Sequence, residues 1–423
     1  MTFQKPCFPH CLPVYFPLLY HSNHKELRKM NDVLSVRAQQ LEPSVTLAVS
    51  DLARELLNKG HDVISLSAGE PDFDTPDFIK QSAIKAIQEG FTKYTNVDGT
   101  PALKAAIVHK LKRDNHLNYE PSEILVSGGA KQSIYNVLMG TLNAGDEAII
   151  PAPYWVSYPP MVQLAEAKPI IISATIDQNF KLTPGQLSQA ITPQSRLLIL
   201  NSPNNPSGVA YTESELKALA DVLMEHPQIL ILSDEIYEYI LWGQNRFVNI
   251  LNVCPELRDR TIIINGASKA YAMTGWRIGY AAGPKSIIQA MKKIQSQSTS
   301  SPNSIAQVAA TTALGAQRGD FAYMYEAYKT RHDLVLKALN QMKGVHCIPA
   351  DGAFYLFPDV SAAIQQLGLE DDIKLGTYLL DKTKVAVVPG SAFGSPGHVR
   401  LSCATSTEKL QEALERLASV LDY

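Results

Sequence analysis

Short apolar runs alternate with helical patterns along most of the chain, starting near residue 60. Polar residues bound each run, as is typical of strands that are buried on both faces. The predicted strands span residues 63–67, 124–127, 147–150, 170–173, 196–200, 229–233 and 261–265. Strands that alternate with helices predict a parallel sheet with helices on both sides. We therefore expect an α/β fold with a large three-layer α/β/α domain and a mostly parallel sheet.

Clear end signals bound two of the helices between these strands. Thr75 and Pro76 predict an N-cap followed by proline at the first helical position, and the helix is expected to end before Gly90. Thr212 and Glu215 have the spacing of a capping box, in which each side chain bonds the backbone amide of the other residue. Both signals support helices that connect successive strands.

The last third of the chain has a more helical pattern. Residues 305–342 are rich in alanine with amphipathic spacing, and residues 352–358 and 384–388 resemble strands. The final helix is predicted from leucines at helical spacing, namely Leu410, Leu414, Leu417 and Leu421. This segment therefore predicts a smaller α+β domain.

Composition and charge narrow the class of protein. Of the 423 residues, 45% are hydrophobic and 19% are charged, which excludes disorder over most of the chain. Lysine and arginine number 38 against 41 acidic residues, so the net charge of -3 offers no basic stripe for nucleic acid. No run reaches the ~18 apolar residues that cross a membrane. Five scattered cysteines favour a reducing, cytoplasmic compartment over a disulfide framework.

Residues 1–29 differ from the rest of the chain, because they contain four prolines and show no helical or strand period. We expect a disordered N-terminal extension there, and translation could start at Met1 or at Met30. Signal and transit peptides do not fit the pattern. Thiols and imidazoles in this segment could bind zinc, but their spacing matches no familiar site, so no metal is predicted. These candidates are Cys7, His10, Cys11, His21 and His24.

The residues that follow the predicted strands carry most of the candidate chemistry, at the edge where open α/β sheets bind ligands. Lys269 could attack a carbonyl to form a Schiff base, or it could be a solvated loop lysine. Asp234 closes an apolar strand and could face a protonated ring nitrogen, with the hydroxyl of Tyr237 nearby; a turn aspartate is the alternative.

Three further features point to an anionic, planar ligand. Gly128 and Gly129 lie between a strand and a helix, where free amides can bind phosphate, although a plain tight turn has the same pattern. Trp155 could stack on a ring or pack in the core. Arg400 could bind a carboxylate with two hydrogen bonds or form a salt bridge at the rim. A dinucleotide-binding GxGxxG motif does not occur in the sequence, which disfavours a nicotinamide oxidoreductase.

In combination, these motifs resemble the class I, fold-type I, pyridoxal 5'-phosphate aminotransferases. The nearest branch is the prokaryote-type aspartate aminotransferases, which includes prephenate aminotransferases. The resemblance extends from about Pro43 to Tyr423. Its most specific segments are LSAGEPDF at 66–73, PYWVSYP at 153–159, residues 201–208, and SKAYAMTGWRIGY at 268–280.

The resemblance implies a set of cofactor contacts. Lys269 would hold pyridoxal 5'-phosphate as a Schiff base, Asp234 would face the ring nitrogen, and Trp155 would stack on the ring. Asn205 and Tyr237 would contact the ring hydroxyl. The implied phosphate ligands are Gly129, Ala130, Lys131, Ser268 and Arg277, with Tyr94 reaching the neighbouring subunit's phosphate. Tyr94 therefore implies a homodimer with shared active sites.

The resemblance also implies substrate contacts. Arg400 would bind the α-carboxylate, assisted by Gly69, and Trp155 and Asn205 would line the substrate. Thr46 and Lys131 match positions that contact the distal carboxylate of a dicarboxylic substrate. The bond between Asn205 and Pro206 matches one that is cis in the family.

The expected activity is transfer of an amino group between L-aspartate or L-glutamate and 2-oxo acids by a ping-pong mechanism. Prephenate and aromatic aminotransferases, and C–S lyases of the same fold, stay open as alternatives. A non-catalytic ligand-sensing domain is a remote one. The implied organisation is an extension at 1–29, an arm and part of the small domain at 30–75, a large domain at 76–315 and a small domain at 316–423.

Overall fold

The structure is a computed structural model that describes residues 33–39, 41, 43, 45–242 and 247–422. The chain divides into two units, residues 1–42 and 43–423. In the first unit, the described residues form the short helix α1 (Val36–Gln39). The extension predicted at residues 1–29, with its candidate metal ligands, lies outside the described residues.

The second unit contains strands and helices in alternation. Its strands are β1 (Ile64–Ser65), β2 (Ile124–Ser127), β3 (Glu147–Ala152), β4 (Lys168–Ser173), β5 (Ser195–Asn201), β6 (Leu230–Asp234), β7 (Thr261–Gly266), β8 (Gly279–Ala282), β9 (Tyr355–Leu356), β10 (Val385–Ala386), β11 (Val388–Pro389) and β12 (Val399–Ser402). Its helices are α2 (Val45–Asn58), α3 (Asp77–Gln88), α4 (Pro101–Asn115), α5 (Ala130–Thr141), α6 (Tyr158–Leu164), α7 (Pro184–Ala190), α8 (Glu213–Met224), α9 (Ile250–Val253), α10 (Lys285–Ser298), α11 (Ser304–Gly315), α12 (Ala322–Leu339), α13 (Ser361–Gln366), α14 (Asp372–Thr383) and α15 (Thr407–Leu421).

The largest sheet has seven strands in the order β2-β8-β7-β6-β5-β3-β4. Neighbouring strands from β7 to β4 pair in parallel, whereas β8 is antiparallel to both of its neighbours. The predicted mostly parallel sheet is therefore confirmed. β8 was not predicted, and residues 63–67 contribute β1, which pairs with β10 instead of joining this sheet.

Apolar residues on both faces of the large sheet explain why helices cover it on two sides. On β6, Ile231 packs into a core with residues of α3, α4 and α8, while the next residue, Leu232, packs into a core with α5, α6 and α10. Successive side chains on a strand point to opposite faces, so a continuous apolar strand needs two covering layers. The predicted three-layer α/β/α arrangement is confirmed.

The C-terminal third forms smaller sheets around a separate core. The antiparallel strands β11, β12 and β9 pair in that order, and α12, α14 and α15 pack with β1 and β10. The leucines that predicted the last helix are all buried there. This is the smaller α+β part expected from the sequence, while the exact boundaries at 76–315 and 316–423 stay a prediction.

One helix signal was correct and one was wrong. Thr212 and Glu215 form the predicted capping box of α8. Thr75 does not cap α3, because Pro76 occupies the N-cap position and the Thr75 hydroxyl donates to the carbonyl of Ala272 at 2.6 Å instead. The same hydroxyl accepts a hydrogen bond from the Trp276 indole at 3.0 Å. A tertiary contact thus replaces the local one.

Candidate active site

The carboxyl ends of the parallel strands bring the predicted residues to one edge of the sheet. Asn201 ends β5 and lies opposite Asp234, which ends β6. Ser127 ends β2 opposite Gly279 of β8, so the loop that begins at Gly128 starts at the same edge. Lys269 follows the end of β7 by three residues. The topology therefore assembles the site from segments that are far apart in sequence.

Asp234 is a buried carboxylate at the end of β6. Its Oδ2 accepts a hydrogen bond from the Tyr158 hydroxyl at 2.7 Å, and its Oδ1 accepts one from the amide of Ile236 at 3.3 Å. Burial raises the pKa of the Asp234 carboxyl to about 6, against the opposing effect of these hydrogen bonds and of the charge on Lys269. Among the described residues, no salt bridge includes Asp234.

Lys269 has the electrostatic setting of a nucleophilic amine. Its Nζ donates to the carbonyl oxygen of Gly69 and lies 5.9 Å from the ring centres of Tyr237 and Phe354. Burial, with the nearby charge of Arg400, lowers the pKa of Lys269 to about 8. At pH 7.5 roughly a quarter of such amines are neutral, against roughly one in a thousand at the ordinary pKa of a lysine.

A tight backbone approach surrounds the Gly128–Gly129 turn. Gly129 has φ 93°, and a Cβ there would overlap the guanidinium of Arg277. Arg277 donates to the carbonyl of Gly128 at 3.2 Å, and a Cβ on Gly279 would overlap the amide nitrogen of Ala130. Only glycine fits at positions 129 and 279, so backbone and guanidinium meet closely at the start of α5.

The free donors at this turn differ from the expected set in one respect. The amide of Gly129 donates to the carbonyl of Ser127 at 2.7 Å and is therefore already used. In the part of the chain that the structure describes, the amides of Ala130 and Lys131 have no acceptor, as expected in the first turn of a helix. Ser268, the residue before Lys269, is also buried. The two free amides and the guanidinium of Arg277 offer hydrogen-bond donors to an anion at the start of α5.

Arg400 is a buried guanidinium with unused hydrogen-bonding capacity. It donates to Oδ1 of Asn205 at 3.0 Å and to the carbonyl of Ser67 at 2.7 Å, while its Nε has no partner among the described residues. The guanidinium carbon lies 4.4 Å from the ring centre of Tyr355 and 5.0 Å from that of Phe393. Burial lowers the pKa of Arg400. A carboxylate is the ligand that matches these remaining donors.

Asn205 is held by a second asparagine. Its backbone amide donates to Oδ1 of Asn201 at 2.9 Å, and Nδ2 of Asn201 donates to the carbonyl of Asp234 at 3.0 Å. The peptide bond between Asn205 and Pro206 is cis, as the resemblance implied. Asn201 therefore joins the loop of Asn205 to the strand that carries Asp234.

Two predicted residues form an aromatic and cationic side of the site. The Nζ of Lys131 lies 4.9 Å from the ring centre of Trp155, and that ring contacts Tyr158 edge-on at 5.4 Å. Partial burial and the charge of Arg277 lower the pKa of Lys131. Tyr158 links this group to Asp234 through the hydrogen bond described above.

The remaining predicted residues are placed differently. Tyr237 is buried, and its hydroxyl lies 2.9 Å from the hydroxyl of Tyr355. Gly69 is exposed and contributes its carbonyl to Lys269. Tyr94 is 94% exposed. The side chain of Thr46 lies outside the described residues.

Sequence reasoning missed Tyr158, Asn201 and Tyr355. Tyr158 and Asn201 lie inside segments that were singled out, 153–159 and 201–208, so proximity in sequence could have found them. Tyr355 is 118 residues from its partner Tyr237, and no local signal marks it.

The residues present fit pyridoxal 5'-phosphate. The orphaned guanidinium nitrogen of Arg400, the unpaired Asp234 carboxylate and the glycine-lined anion site match a substrate carboxylate, a ring cation and a phosphate, respectively. Lys269 supplies an amine of lowered proton affinity. Fold and site together define an enzyme of the fold-type I pyridoxal-phosphate class.

Comparisons with known proteins agree with this class. Residues 61–417 match the family "Aminotransferase class I and II". The chain is 54% identical to an aspartate/prephenate aminotransferase of Nitrosomonas europaea, covering 92% of this chain and 99% of the relative. It is 49% identical to an aspartate aminotransferase of Geobacillus stearothermophilus, covering 91% and 98%.

Solved structures show the same fold. The aspartate aminotransferase of Thermus thermophilus, determined with maleate, superposes with a TM-score of 0.87 at 43% identity, covering 92% of this chain and 99% of that one. The aspartate aminotransferase of Rhizobium meliloti gives a TM-score of 0.88 at 45% identity, covering 92% and 98%. The chain belongs to the class I and II aminotransferases, and its cofactor is pyridoxal 5'-phosphate.

Two structural features are absent from the described residues. Within these ranges no helix is long and apolar enough to cross a membrane. Across the same residues, no three histidine, cysteine or acidic side chains group together as metal ligands.

Proposed function

We propose that this aminotransferase moves an amino group between L-aspartate or L-glutamate and the 2-oxo acids oxaloacetate and 2-oxoglutarate, in a ping-pong reaction. The observation that carries the proposal is a pair of cationic side chains with capacity for anions. Arg400 has an unpartnered Nε, and the Lys131 ammonium lies on the face of Trp155. A dicarboxylic amino acid offers one carboxylate to each cation. The names of the relatives support the same choice.

The α-carboxylate is assigned to Arg400 because its guanidinium is already fixed. Two hydrogen bonds and two aromatic rings hold its plane, so little side-chain entropy is lost when a carboxylate binds. Gly69 and Asn205 lie beside this position through their contacts with Lys269 and Arg400. The distal carboxylate is assigned to Lys131, with Thr46 as a second contact.

When bound, pyridoxal 5'-phosphate supplies a carbonyl that accepts the amino group and a ring that withdraws electrons. In the proposal, Lys269 is the residue that holds the cofactor and then moves the proton at the substrate α-carbon, since its lowered pKa makes the neutral amine available. Asp234 would keep the ring nitrogen protonated. Asn205 and Tyr237 would donate to the ring oxygen, and Trp155 would cover the ring.

The phosphate is assigned to the start of α5. The amides of Ala130 and Lys131 would donate to it, together with the side chains of Ser268 and Arg277. Gly129 contributes room for the close approach, because its own amide already bonds Ser127.

Prephenate is a second candidate acceptor, and one observation favours it. A relative at 54% identity is named an aspartate/prephenate aminotransferase. Prephenate carries two carboxylates, so Arg400 and Lys131 would meet the same charges as in a dicarboxylic amino acid.

We also propose a homodimer with shared sites in the cytoplasm. Tyr94 exposes 94% of its surface close in sequence to other exposed apolar residues, which supports coverage by a second copy that shares its phosphate site. These neighbours are Ile84, Ile87 and Phe91. The described cysteines are unpaired, which supports a reducing compartment.

The test is a panel of amino donors assayed against several 2-oxo acids, including prephenate. We expect aspartate and glutamate to give the highest kcat/KM. Lys131→Ala should lower kcat/KM for aspartate about 10- to 100-fold, the effect of losing one charged partner, and should affect alanine little. Lys168→Ala, a surface lysine on β4, is the matched control. Equal aspartate kcat/KM in Lys131→Ala and wild type would contradict the distal-carboxylate assignment.

A further inference from the structure

Tyr355 lies on the same face of its sheet as Arg400. It opens β9 directly opposite Ser402 of β12, and Arg400 stands two residues before Ser402. Residues two apart on a strand share a face, so Arg400 and Tyr355 are diagonal neighbours within reach of each other. The guanidinium carbon is 4.4 Å from the ring centre, and both side chains are buried.

The hydroxyl of Tyr355 points to a different part of the site. It lies 2.9 Å from the hydroxyl of Tyr237, and a Cβ on Gly69 would come within 3.3 Å of it. Gly69 in turn accepts the hydrogen bond of Lys269. One side chain therefore touches the carboxylate-binding arginine, the tyrosine assigned to the ring oxygen, and the loop that contacts the lysine.

The direction of the hydrogen bond between the tyrosines follows from proton counting. A phenol carries one proton, so a Tyr237 hydroxyl that donates to the cofactor must accept from Tyr355. Tyr355 then donates its only hydroxyl proton to Tyr237. Both hydrogen bonds in the chain from Tyr355 through Tyr237 to the ring oxygen therefore point in the same direction. Hydrogen bonds in such a chain strengthen one another in a buried setting.

We propose that Tyr355 is a positioning residue that couples the two ends of the site: its hydroxyl aims the proton of Tyr237 at the ring oxygen of the cofactor, and its ring fixes the guanidinium of Arg400 for the substrate carboxylate. The inference rests on the proposed function. Packing alone does not explain the Tyr355 hydroxyl, because a phenylalanine, such as the neighbouring Phe354, fills space with the same ring and no hydroxyl.

Tyr355→Phe in the holoenzyme tests the hydroxyl while keeping the ring. A donor to the ring oxygen stabilises the negative charge on that oxygen. This lowers the proton affinity of the Schiff-base nitrogen that joins the cofactor to Lys269. Loss of the Tyr355 hydroxyl should therefore raise the pH midpoint of the absorption change of the bound cofactor by about 0.3–1 unit, from a net hydrogen bond of ordinary strength. The kcat should fall about 2- to 10-fold by the same estimate, with the KM for aspartate unchanged.

Tyr280→Phe is the matched control, because Tyr280 is a buried tyrosine whose hydroxyl has no hydrogen-bond partner in the part of the chain that the structure describes. Its midpoint should equal that of wild type. A shift of the same size in Tyr280→Phe and Tyr355→Phe would overturn the inference, since removal of any buried hydroxyl would then suffice.

Tyr355→Leu tests the ring. It should raise the dissociation constant of succinate, an unreactive dicarboxylate, about 2- to 30-fold relative to Tyr355→Phe, as expected for loss of one cation–π contact. Succinate binding is read from the cofactor absorption without turnover. Equal succinate affinity in the Leu and Phe variants would overturn the assigned role of the ring.

A double-mutant cycle with Tyr237→Phe keeps the inference testable if Tyr355→Leu fails to fold. Once the Tyr237 hydroxyl is gone, adding Tyr355→Phe should not move the midpoint further, because the two hydroxyls act in one chain. Additive shifts would overturn the coupling. Failure of the proposed function is distinguishable, because wild type itself would then bind no pyridoxal 5'-phosphate or transfer no amino group.

Discussion

Asp234→Asn should stabilise the cofactor-free protein while removing most of its activity. Asp234 is 4% exposed and, among the described residues, its carboxylate has only the Tyr158 hydroxyl and the Ile236 amide as hydrogen-bond partners. Burying a charge without a counter-charge costs stability. An asparagine occupies the same volume without the charge, so the cost disappears in the variant, together with the anion proposed to keep the ring nitrogen protonated.

The magnitude follows from the pKa of Asp234. Burial raises it from an ordinary 3.8 to about 6, a difference of roughly 2 units, and one unit corresponds to about 1.4 kcal/mol. Because the folded-state pKa is raised, the folded protein binds more protons than the unfolded chain between pH 4 and 6. Stability therefore falls as the pH rises through this window, and the full cost of about 3 kcal/mol is present above pH 6.

Urea unfolding of the cofactor-free proteins at a fixed protein concentration measures this effect. We expect Asp234→Asn to exceed wild type by about 3 kcal/mol at pH 8, by about half of that at pH 5, and by nothing below pH 4. Tyr158→Phe is a control of opposite sign, since loss of its hydrogen bond raises the pKa of Asp234 further and lowers stability at pH 8. A gap between Asp234→Asn and wild type that does not change with pH would refute the reasoning.

Two more predictions concern packing. Lys110→Met should lower the free energy of unfolding, measured in urea, by about 3–5 kcal/mol, because it leaves the buried carboxylate of Glu238 without its ion-pair partner. A further Glu238→Gln change should recover part of this loss. No recovery in the double variant would contradict the ion-pair explanation. Gly279→Ala should raise the dissociation constant of pyridoxal 5'-phosphate about 10- to 100-fold, since a Cβ there strains the start of α5. Gly275→Ala, which has open space, should bind the cofactor as wild type does, and equal affinity in both variants would exclude the strain argument.

The parts of the fold that the sequence predicted correctly depend on local patterns. Apolar runs identified the strands from residue 124 to residue 266, and the capping box at Thr212 identified the start of α8. β8 escaped because Gly279–Ala282 consists of small residues around one tyrosine, and only pairing with β2 and β7 makes it a strand. Thr75 misled because a contact with Ala272, 197 residues away, competes with the local cap.

The candidate site shows the same division. The residues inside specific motifs were predicted, and the structure brings Asp234 and Arg400 each into electrostatic range of Lys269. What could not be predicted is how these side chains are held. The Tyr158 bond to Asp234 and the Tyr355 bond to Tyr237 join residues 76 and 118 positions apart, and hydroxyls of buried tyrosines leave no periodic signal.

Three charged groups of the site, Asp234, Lys269 and Arg400, share a property that distinguishes them from Asp98 in its structural ion pairs. The pKa of Asp234 is raised and those of Lys269 and Arg400 are lowered, so each charge is disfavoured where it stands. By contrast, Lys104 and Lys292 hold the pKa of Asp98 below its ordinary value, because that carboxylate already has its counter-charges. A site whose charges lack partners gains from a ligand that supplies them.

Glu235 shows that a pKa shifted by burial does not by itself identify a ligand-binding group. Burial raises its pKa to about 8, so protonation removes its charge; Ser233 and Asn249 both donate to its Oε1, whereas its Oε2 has no hydrogen-bond partner among the described residues. Protonation cannot relieve Arg400 in the same way, since a guanidinium stays charged. The unpaired Nε of Arg400 therefore points to an anionic ligand more strongly than any raised carboxyl pKa points to a cationic one. Arg400 should accordingly bind the substrate carboxylate at every pH where the protein is folded. Asp234 should make the stability of the protein depend on pH only when the cofactor is absent.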